Sequence, residues 1–334
     1  MSAATQHLVR LENLSVAFPG GRHGDGETRH FRAVDDVTLD VRVGEVLGIV
    51  GESGSGKTTL AKALLRLYRP SDGRILFNDV NLAGLSERGL RPYRRHLQMV
   101  FQDPLSSFNP RQTVFEALSL PLRLHRICLP EDIPREVEKM LARVGLSPAF
   151  RDRFPHELSG GQLQRVAIGR ALTLSPSLLV ADEAVSKLDV SVRAQILNLL
   201  KDVQSTSAFS ILFITHDLYV ARYLCHRIGV MYFGRLVELG STDEIFGAPR
   251  HPYTKALLGT LDEHMAGAAD ADPVAAPPSA VGCRYASRCP HAIPSCAEAQ
   301  PPLDTAGDGH AVACYRWREL AAASESPNLN HTKA

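Results

Sequence analysis

Three stretches of this chain hold residues whose type and spacing suit phosphate chemistry. Gly51-Glu52-Ser53-Gly54-Ser55-Gly56-Lys57-Thr58 fits G-x-x-x-x-G-K-[ST]. Gly51, Gly54 and Gly56, with Ser53 among them, let the backbone curl so that N–H groups face phosphate oxygens. Lys57 reaches the β/γ-phosphates, Thr58 offers its hydroxyl to Mg²⁺, and Thr59 continues the opening helix. Asp182 and Glu183 end the apolar run SLLVAD. A carboxylate there can hold the water shell of Mg²⁺, and the next is left to orient or deprotonate an attacking water. The third stretch, Leu158-Ser159-Gly160-Gly161-Gln162, reads as a second anion-binding helix start. Two phosphate-gripping helix N-termini in one chain point to a dimer that shares ATP across its interface. Gln102 and His216 each follow an apolar stretch, and His216 stands at a strand end where ligands of open α/β sheets collect. Alone, either would read as a surface group.

The elements that must hold these residues follow from hydrophobic patterning. Strands are expected at 8–18, 34–43, 45–50, 73–78, 177–182, 209–214, 227–232 and 235–239, with a Gly/His/Asp-rich loop over 19–30. Runs such as EVLGIV and SLLVAD are nearly all apolar, the pattern of strands buried on both faces. Helices are expected at 57–68, at 191–206 and just after His216. Strand–helix alternation of this kind gives an α/β fold with a parallel sheet covered by helices. Residues 85–170 turn helical with Pro and Gly punctuation and make a separate lobe. The expected organisation is one domain over 1–262, an Ala/Pro/Asp-rich linker over 263–281, a Cys-rich segment over 282–320 and a disordered tail over 321–334.

Composition excludes several classes. In 334 residues the net charge is +1, so no global basic field argues for nucleic acid. Apolar content of 44% and charged content of 22% describe an ordinary globular protein. No run approaches the ~18 apolar residues of a membrane span. The N-terminal sequence MSAATQHLVRLENL lacks the order of a signal peptide, which places the chain in the cytoplasm. Cys128 and Cys225 read as small buried apolar residues. Cys283, Cys289, Cys296 and Cys314 crowd together with spacing C-x5-C-x6-C-x17-C. In a reducing compartment that crowding argues for a metal, either Zn²⁺ or an iron–sulfur cluster, more than for disulfides.

Taken in order, the phosphate loop, Gln102, LSGGQ at 158–162, Asp182-Glu183, Ser186-Lys187-Leu188-Asp189 and His216 resemble the ATPase subunits of ATP-binding cassette transporters over residues 8–260. The resemblance implies a P-loop NTPase core, an antiparallel β subdomain and a helical signature subdomain. It implies a head-to-tail dimer, in which ATP held by Lys57, Thr58 and Gln102 is capped by the partner's signature segment, Ser159 and Gly161 with Gly160 and Gln162. Thr58, Gln102 and Asp182 would serve Mg²⁺, Glu183 the general base, His216 a γ-phosphate contact, and Asp189 the interface. An aromatic ring usually stacks on adenine, and Phe18 fits the first strand's end better than Phe31. Two positions depart from the family pattern. Ala184 replaces the usual Pro, which would loosen the turn presenting Glu183, and Lys187 replaces the usual Ala. Soluble cassette ATPases of DNA repair or translation are the competing class, but they carry coiled coils or two cassettes in one chain.

Three further stretches, FQDPLSSFNPRQTV, LDVSVRAQILNLL and HPYTKALL, resemble the oligopeptide/dipeptide importer subfamily, which also includes nickel and other peptide-like uptake systems. That resemblance implies a heterodimer with a second, non-identical ATPase subunit, this chain resembling the second of the two. It implies two membrane permease subunits, an extracytoplasmic substrate-binding protein and a place at the cytoplasmic face of the membrane. For the Cys-rich segment it implies a [4Fe–4S] cluster.

Overall fold

A computed structural model of the chain describes residues 6–22, 28–207, 209–265, 281–305 and 309–325. Two strands, β1 (His7–Arg22) and β2 (Thr28–Arg42), pair antiparallel, with Val9 opposite Val41 and Phe18 opposite Phe31. β3 (Val46–Val50) runs through the phosphate loop into α1 (Lys57–Leu64). β4 (Asp72–Phe77) and β5 (Val80–Asn81) complete a four-stranded antiparallel sheet in the order β2-β1-β4-β5. Next come α2 (Glu87–Arg94), β6 (Leu97–Val100) and the lobe helices α3 (Val114–Leu124), α4 (Ile133–Arg143) and α5 (Gly160–Leu172). The chain returns through β7 (Leu178–Asp182), α6 (Val190–Thr206), β8 (Ser210–Ile214), α7 (Leu218–Leu224), β9 (Arg227–Tyr232), β10 (Arg235–Ser241) and α8 (Thr242–Gly247). It ends in α9 (Pro252–Met265), α10 (Pro294–Glu298), β11 (Asp304–Thr305), β12 (Ala311–Val312) and α11 (Trp317–Glu325).

The larger sheet has the order β11-β12-β10-β9-β3-β8-β7-β6. Strands β9, β3, β8, β7 and β6 are mutually parallel, and the β10, β12, β11 side is antiparallel. Every residue of β3, β7 and β8 is buried. Their apolar runs are explained by one hydrophobic cluster on each face: α1 with the antiparallel sheet on one side, the lobe helices with α6 and α7 on the other. This stacking aligns the C-terminal ends of β3, β7 and β8, and the reactive side chains of the chain lie there.

Several expectations need correction. The sheet is mixed rather than parallel, because β10, β12 and β11 run antiparallel at one edge. Strands β11 and β12 come from the Cys-rich segment, which therefore extends the ATPase sheet; two-residue strands have no periodicity for a sequence to display. The expected loop at 19–30 is strand up to Arg22 and again from Thr28. Residues 85–170 are not wholly a helical lobe, since β6 pairs with β7 in the main sheet. The helix expected to reach residue 68 stops at Leu64, because Arg66 turns left-handed at φ 55° and donates to the carbonyls of Leu82 and Leu85. Of the linker, residues 263–265 belong to α9, while 266–280 lie outside the described residues. Of the tail, 321–325 are helical and 326–334 lie outside them. Among the described residues no helix is long and apolar enough to cross a membrane.

Candidate active site

The phosphate loop is shaped by glycines that no other residue could replace. Gly51 and Gly56 take φ 147° and 100°. A Cβ would lie 2.1 Å from the Met231 carbonyl oxygen at Gly51, and 2.2 Å from that of Ala33 at Gly56. Gly54, at φ 79°, faces open space and stands exposed beside Ser53 at the crest of the loop. Lys57 fills the interior: its Nζ donates to Gly51 O at 2.8 Å, Glu52 O at 2.7 Å and Ser55 Oγ at 3.2 Å. Burial pulls the Lys57 ammonium below its ordinary pKa, while the nearby carboxylates of Glu183, Asp182 and Glu52 act against the fall. Thr59 is half-buried in the first turn of α1.

At the end of β7 the two carboxylates part company. Thr58 Oγ1 donates to Asp182 Oδ1 at 2.9 Å, so the two residues expected at Mg²⁺ already meet. Burial pushes the Asp182 carboxyl above its usual value, a state that a divalent cation beside it would reverse. Glu183 turns left-handed at φ 45°, uncommon outside glycine. Its amide is held by Ile214 O at 3.0 Å, and its carbonyl accepts from Ser186 N at 3.1 Å and Ser186 Oγ at 3.0 Å. The turn that Ala184 was expected to loosen is therefore closed by Ser186, with Ala184 and Val185 both buried. The Glu183 carboxylate accepts from Gln102 Nε2 at 2.6 Å through Oε2 and lies 3.2 Å from His216 Nδ1 through Oε1. Gln102 thus sits against the Glu183 carboxylate, and Thr58 against Asp182.

The structure brings together Lys57, Thr58, Gln102, Asp182, Glu183 and His216. The signature segment stands apart on α5. Ser159 caps that helix: its Oγ accepts from Gln162 N at 3.3 Å, and Gln162 Oε1 accepts from Ser159 N at 3.0 Å, a reciprocal capping box. Ser159 and Gly160 are exposed. Gly161 packs so closely on α6 that a Cβ would come 2.4 Å from Val192 Cγ1. Asp189, also exposed, caps α6 without a side-chain bond, next to exposed Lys187. Phe18 meets Tyr68 edge to face at 5.4 Å, whereas Phe31, its cross-strand partner, is 60% exposed and the more open ring for stacking.

The four clustered cysteines line one small pocket together with His251, Tyr285 and Arg316. Burial pushes the thiols of Cys283 and Cys289 up, and that of Cys314 up to about 11, with the neighbouring thiols adding to each rise. Four converging thiols are the donor set of zinc and iron–sulfur sites. Yet among the described residues no three His, Cys, Asp or Glu are gathered closely enough to hold a metal ion. Cys225 is buried as expected, its sulfur in the space a Gly48 Cβ would need. Cys128 is only half-buried.

Sequence reasoning passed over several residues that lock the site. Arg193 ties the start of α6 to the loop after β8, donating to Asp217 Oδ2 at 2.9 Å. Arg170, on the signature helix, donates to Ser107 O at 2.7 Å and stacks 4.2 Å from the Phe108 ring, linking α5 to the segment after Gln102. Asp35 accepts from Arg32, Arg235 and Arg284, the last from the Cys-rich segment. Only the pairing of these charges across long sequence gaps makes them visible, and a single sequence does not show it.

The sequence and the fold have counterparts among known proteins. The sequence matches the family described as "ABC transporter" over residues 34–186 and that described as "Oligopeptide/dipeptide transporter, C-terminal region" over residues 237–296. It is 43% identical over 331 residues to the oligopeptide transport ATP-binding protein AppF of Bacillus subtilis, covering 95% of this chain and 100% of that one. It is 47% identical over 308 residues to a probable peptide ABC transporter ATP-binding protein of Sinorhizobium fredii, covering 89% and 86%. Among solved structures, it resembles the dimeric ATP-binding cassette MJ0796 in a post-hydrolysis state with ADP and Pi, with a TM-score of 0.64, 29% identity, and coverage of 70% of this chain and 98% of that one. The cbiO1 protein of Clostridium perfringens, part of the ABC transporter complex cbiONQ, gives a TM-score of 0.63 at 29% identity, covering 79% and 100%.

Proposed function

The chain belongs to the ABC transporter ATPases, and on that premise we propose that it hydrolyses ATP to drive import of di- and oligopeptides at the cytoplasmic face of a membrane. One observation carries the chemistry: Glu183 follows β7 with its two carboxylate oxygens at Gln102 and His216 and with Lys57 nearby, while Thr58 meets the neighbouring Asp182. Lys57 leaves the loop carbonyls to meet the β/γ-phosphates. Thr58 and Asp182, already joined at 2.9 Å, would hold Mg²⁺, which would supply neutralisation of charge on the phosphate oxygens. Glu183 orients and deprotonates the attacking water, and His216 contacts the γ-phosphate.

The peptide cargo is supported by the match of residues 237–296 and by relatives whose names specify peptide or oligopeptide transport. The working assembly is a dimer with a second, non-identical ATPase subunit, beneath two permease subunits fed by an extracytoplasmic binding protein. Exposure of Ser159 and Gly160 supports the dimer, since a helix start directed at solvent is available to a partner's γ-phosphate. Either Phe18 or Phe31 supplies the ring against adenine. The test is purification of the complex from membranes, followed by reconstitution with its binding protein. Peptide-stimulated ATPase activity and uptake of radiolabelled peptide are expected. Uptake of nickel without uptake of peptide overturns the cargo.

For the Cys-rich segment the reading is a [4Fe–4S] cluster held by Cys283, Cys289, Cys296 and Cys314, supported by the convergence of the four thiols on one pocket. Its ligation requires the thiols to draw closer than they stand. The role is structural, because a segment this short builds little core of its own. Anaerobic purification should yield coloured protein with iron and acid-labile sulfide, whereas colourless, iron-free protein defeats the reading.

A further inference from the structure

HPYT, at residues 251–254, lies at the start of α9, outside the phosphate loop, yet its tyrosine reaches the loop. Tyr253 is buried, and its Oη accepts from Glu52 N–H at 3.1 Å. That N–H shares a peptide plane with the Gly51 carbonyl, which accepts from Lys57 Nζ at 2.8 Å. One peptide unit is therefore gripped at both ends, by Lys57 from inside the loop and by Tyr253 from behind it. When Lys57 turns to phosphate it gives up the carbonyls of Gly51 and Glu52, and Tyr253 is left holding the plane.

The tyrosine is itself anchored. Its own amide donates to His251 Nδ1 at 3.0 Å, and His251 N donates to Glu238 Oε2 at 3.0 Å. Glu238, fully buried in β10, also accepts from Arg250 N at 2.7 Å and lies 2.7 Å from His310 Nε2. The Tyr253 ring lies 4.4 Å from that of Tyr232 and 5.5 Å from that of Tyr285, centroid to centroid. Tyr285 stands between Cys283 and Cys289. Within the same turn, Arg288 Nη1 lies 3.4 Å from the Glu52 carboxylate. The Cys-rich segment thus touches Glu52 twice, through its side chain directly and through its backbone by way of Tyr253.

We propose that Tyr253 is a positioning residue for the phosphate loop, and that the Cys-rich segment, through Tyr285 and Arg288, braces it from behind. This support fixes the Gly51–Glu52 peptide while Lys57 is engaged with nucleotide. It requires no metal in the cysteine pocket, although anything that reorders that pocket moves Tyr285 and is felt at the loop.

The test is Tyr253→Phe in the intact transporter complex, which keeps the ring and removes only the acceptor. Hydrogen exchange at the Glu52 amide should quicken by about tenfold, in the presence of ATP as well as in its absence. Affinity for a fluorescent ATP analogue should fall by about three- to tenfold, and kcat at saturating ATP should stay within about twofold. Unchanged exchange and affinity overturn the proposal. So does a loss of melting temperature matched by equal losses in kcat and affinity, which marks a tyrosine needed only for folding. Arg288→Ala supplies a second arm, with an expected twofold or so loss of affinity. Combined with Tyr253→Phe it should lose less than the product of the two effects, because both act on Glu52; a fully multiplicative loss overturns the shared brace.

Discussion

The two helix starts that address phosphate are built by opposite means. At α1 the loop is closed on itself, with Lys57 buried among loop carbonyls and Gly51 and Gly56 pressed against the backbone of Met231 and Ala33. At α5 the start is open. Its capping box occupies the amides of Ser159 and Gln162, while those of Gly160 and Gly161, in the first turn, have no intrahelical acceptor. Its close approach is sideways, from Gly161 to the side chain of Val192 on α6. One helix start is finished by its own chain, and the other is a rigid offering that a second molecule must complete. Damage to α1 should therefore be felt within the subunit, and damage to α5 should be felt across the dimer.

The largest effects break the closed site. Lys57→Ala should abolish ATP binding and turnover together, by on the order of a hundredfold or more in the assembled complex. Glu183→Gln should separate the two, retaining ATP binding while turnover falls to a similar degree, as single-turnover and equilibrium binding assays would show. Turnover near the wild-type rate with Glu183→Gln, when the partner's site is also disabled, removes Glu183 from its role as base.

Smaller effects compare glycine with glycine. Gly56→Ala meets both a left-handed φ and an immovable carbonyl, and should cost about 3 kcal/mol of stability in denaturant melts of the isolated subunit. Gly161→Ala meets only a side-chain methyl. It should cost about 1 kcal/mol of subunit stability yet weaken ATP-driven dimerisation several-fold. Val192→Ala added to Gly161→Ala should return most of that loss. If the pair dimerises no better than Gly161→Ala alone, the sideways contact is not what sets the angle of α5.

The closed site was also the more legible in the sequence. GESGSGKT, the acidic end of SLLVAD and the histidine after FSILFIT each stand at the end of a buried strand, so pattern and position agreed, and the acidic pair meets both of the others, Asp182 at Thr58 and Glu183 at His216. The fully apolar β3, β7 and β8 announced themselves for the same reason. What escaped was held by distance in sequence. β6 lay hidden because its four residues read as part of a helical stretch, and β11 and β12 because two residues carry no period. The bonds of Arg193, Arg170, Asp35 and Tyr253 join positions 24, 63, 200 and 201 residues from their partners, and no local window contains them. The departure at Ala184 was legible, but its consequence was not, because Ser186 closes the turn from the C-terminal side.

The pairing of β10 with β12 bears on how the chain is made. Until residue 312 has left the ribosome, the β10 edge has no cover along Glu238 and Leu239, and its amides and carbonyls are free to recruit another strand. Glu238 meanwhile lacks His310, so a carboxylate destined for full burial waits without one of its partners. Nascent chains shortened before residue 281 should carry a complete set of nucleotide residues and still aggregate. The segment that supplies β12 acts as a guard against association during synthesis, whatever its cysteines bind.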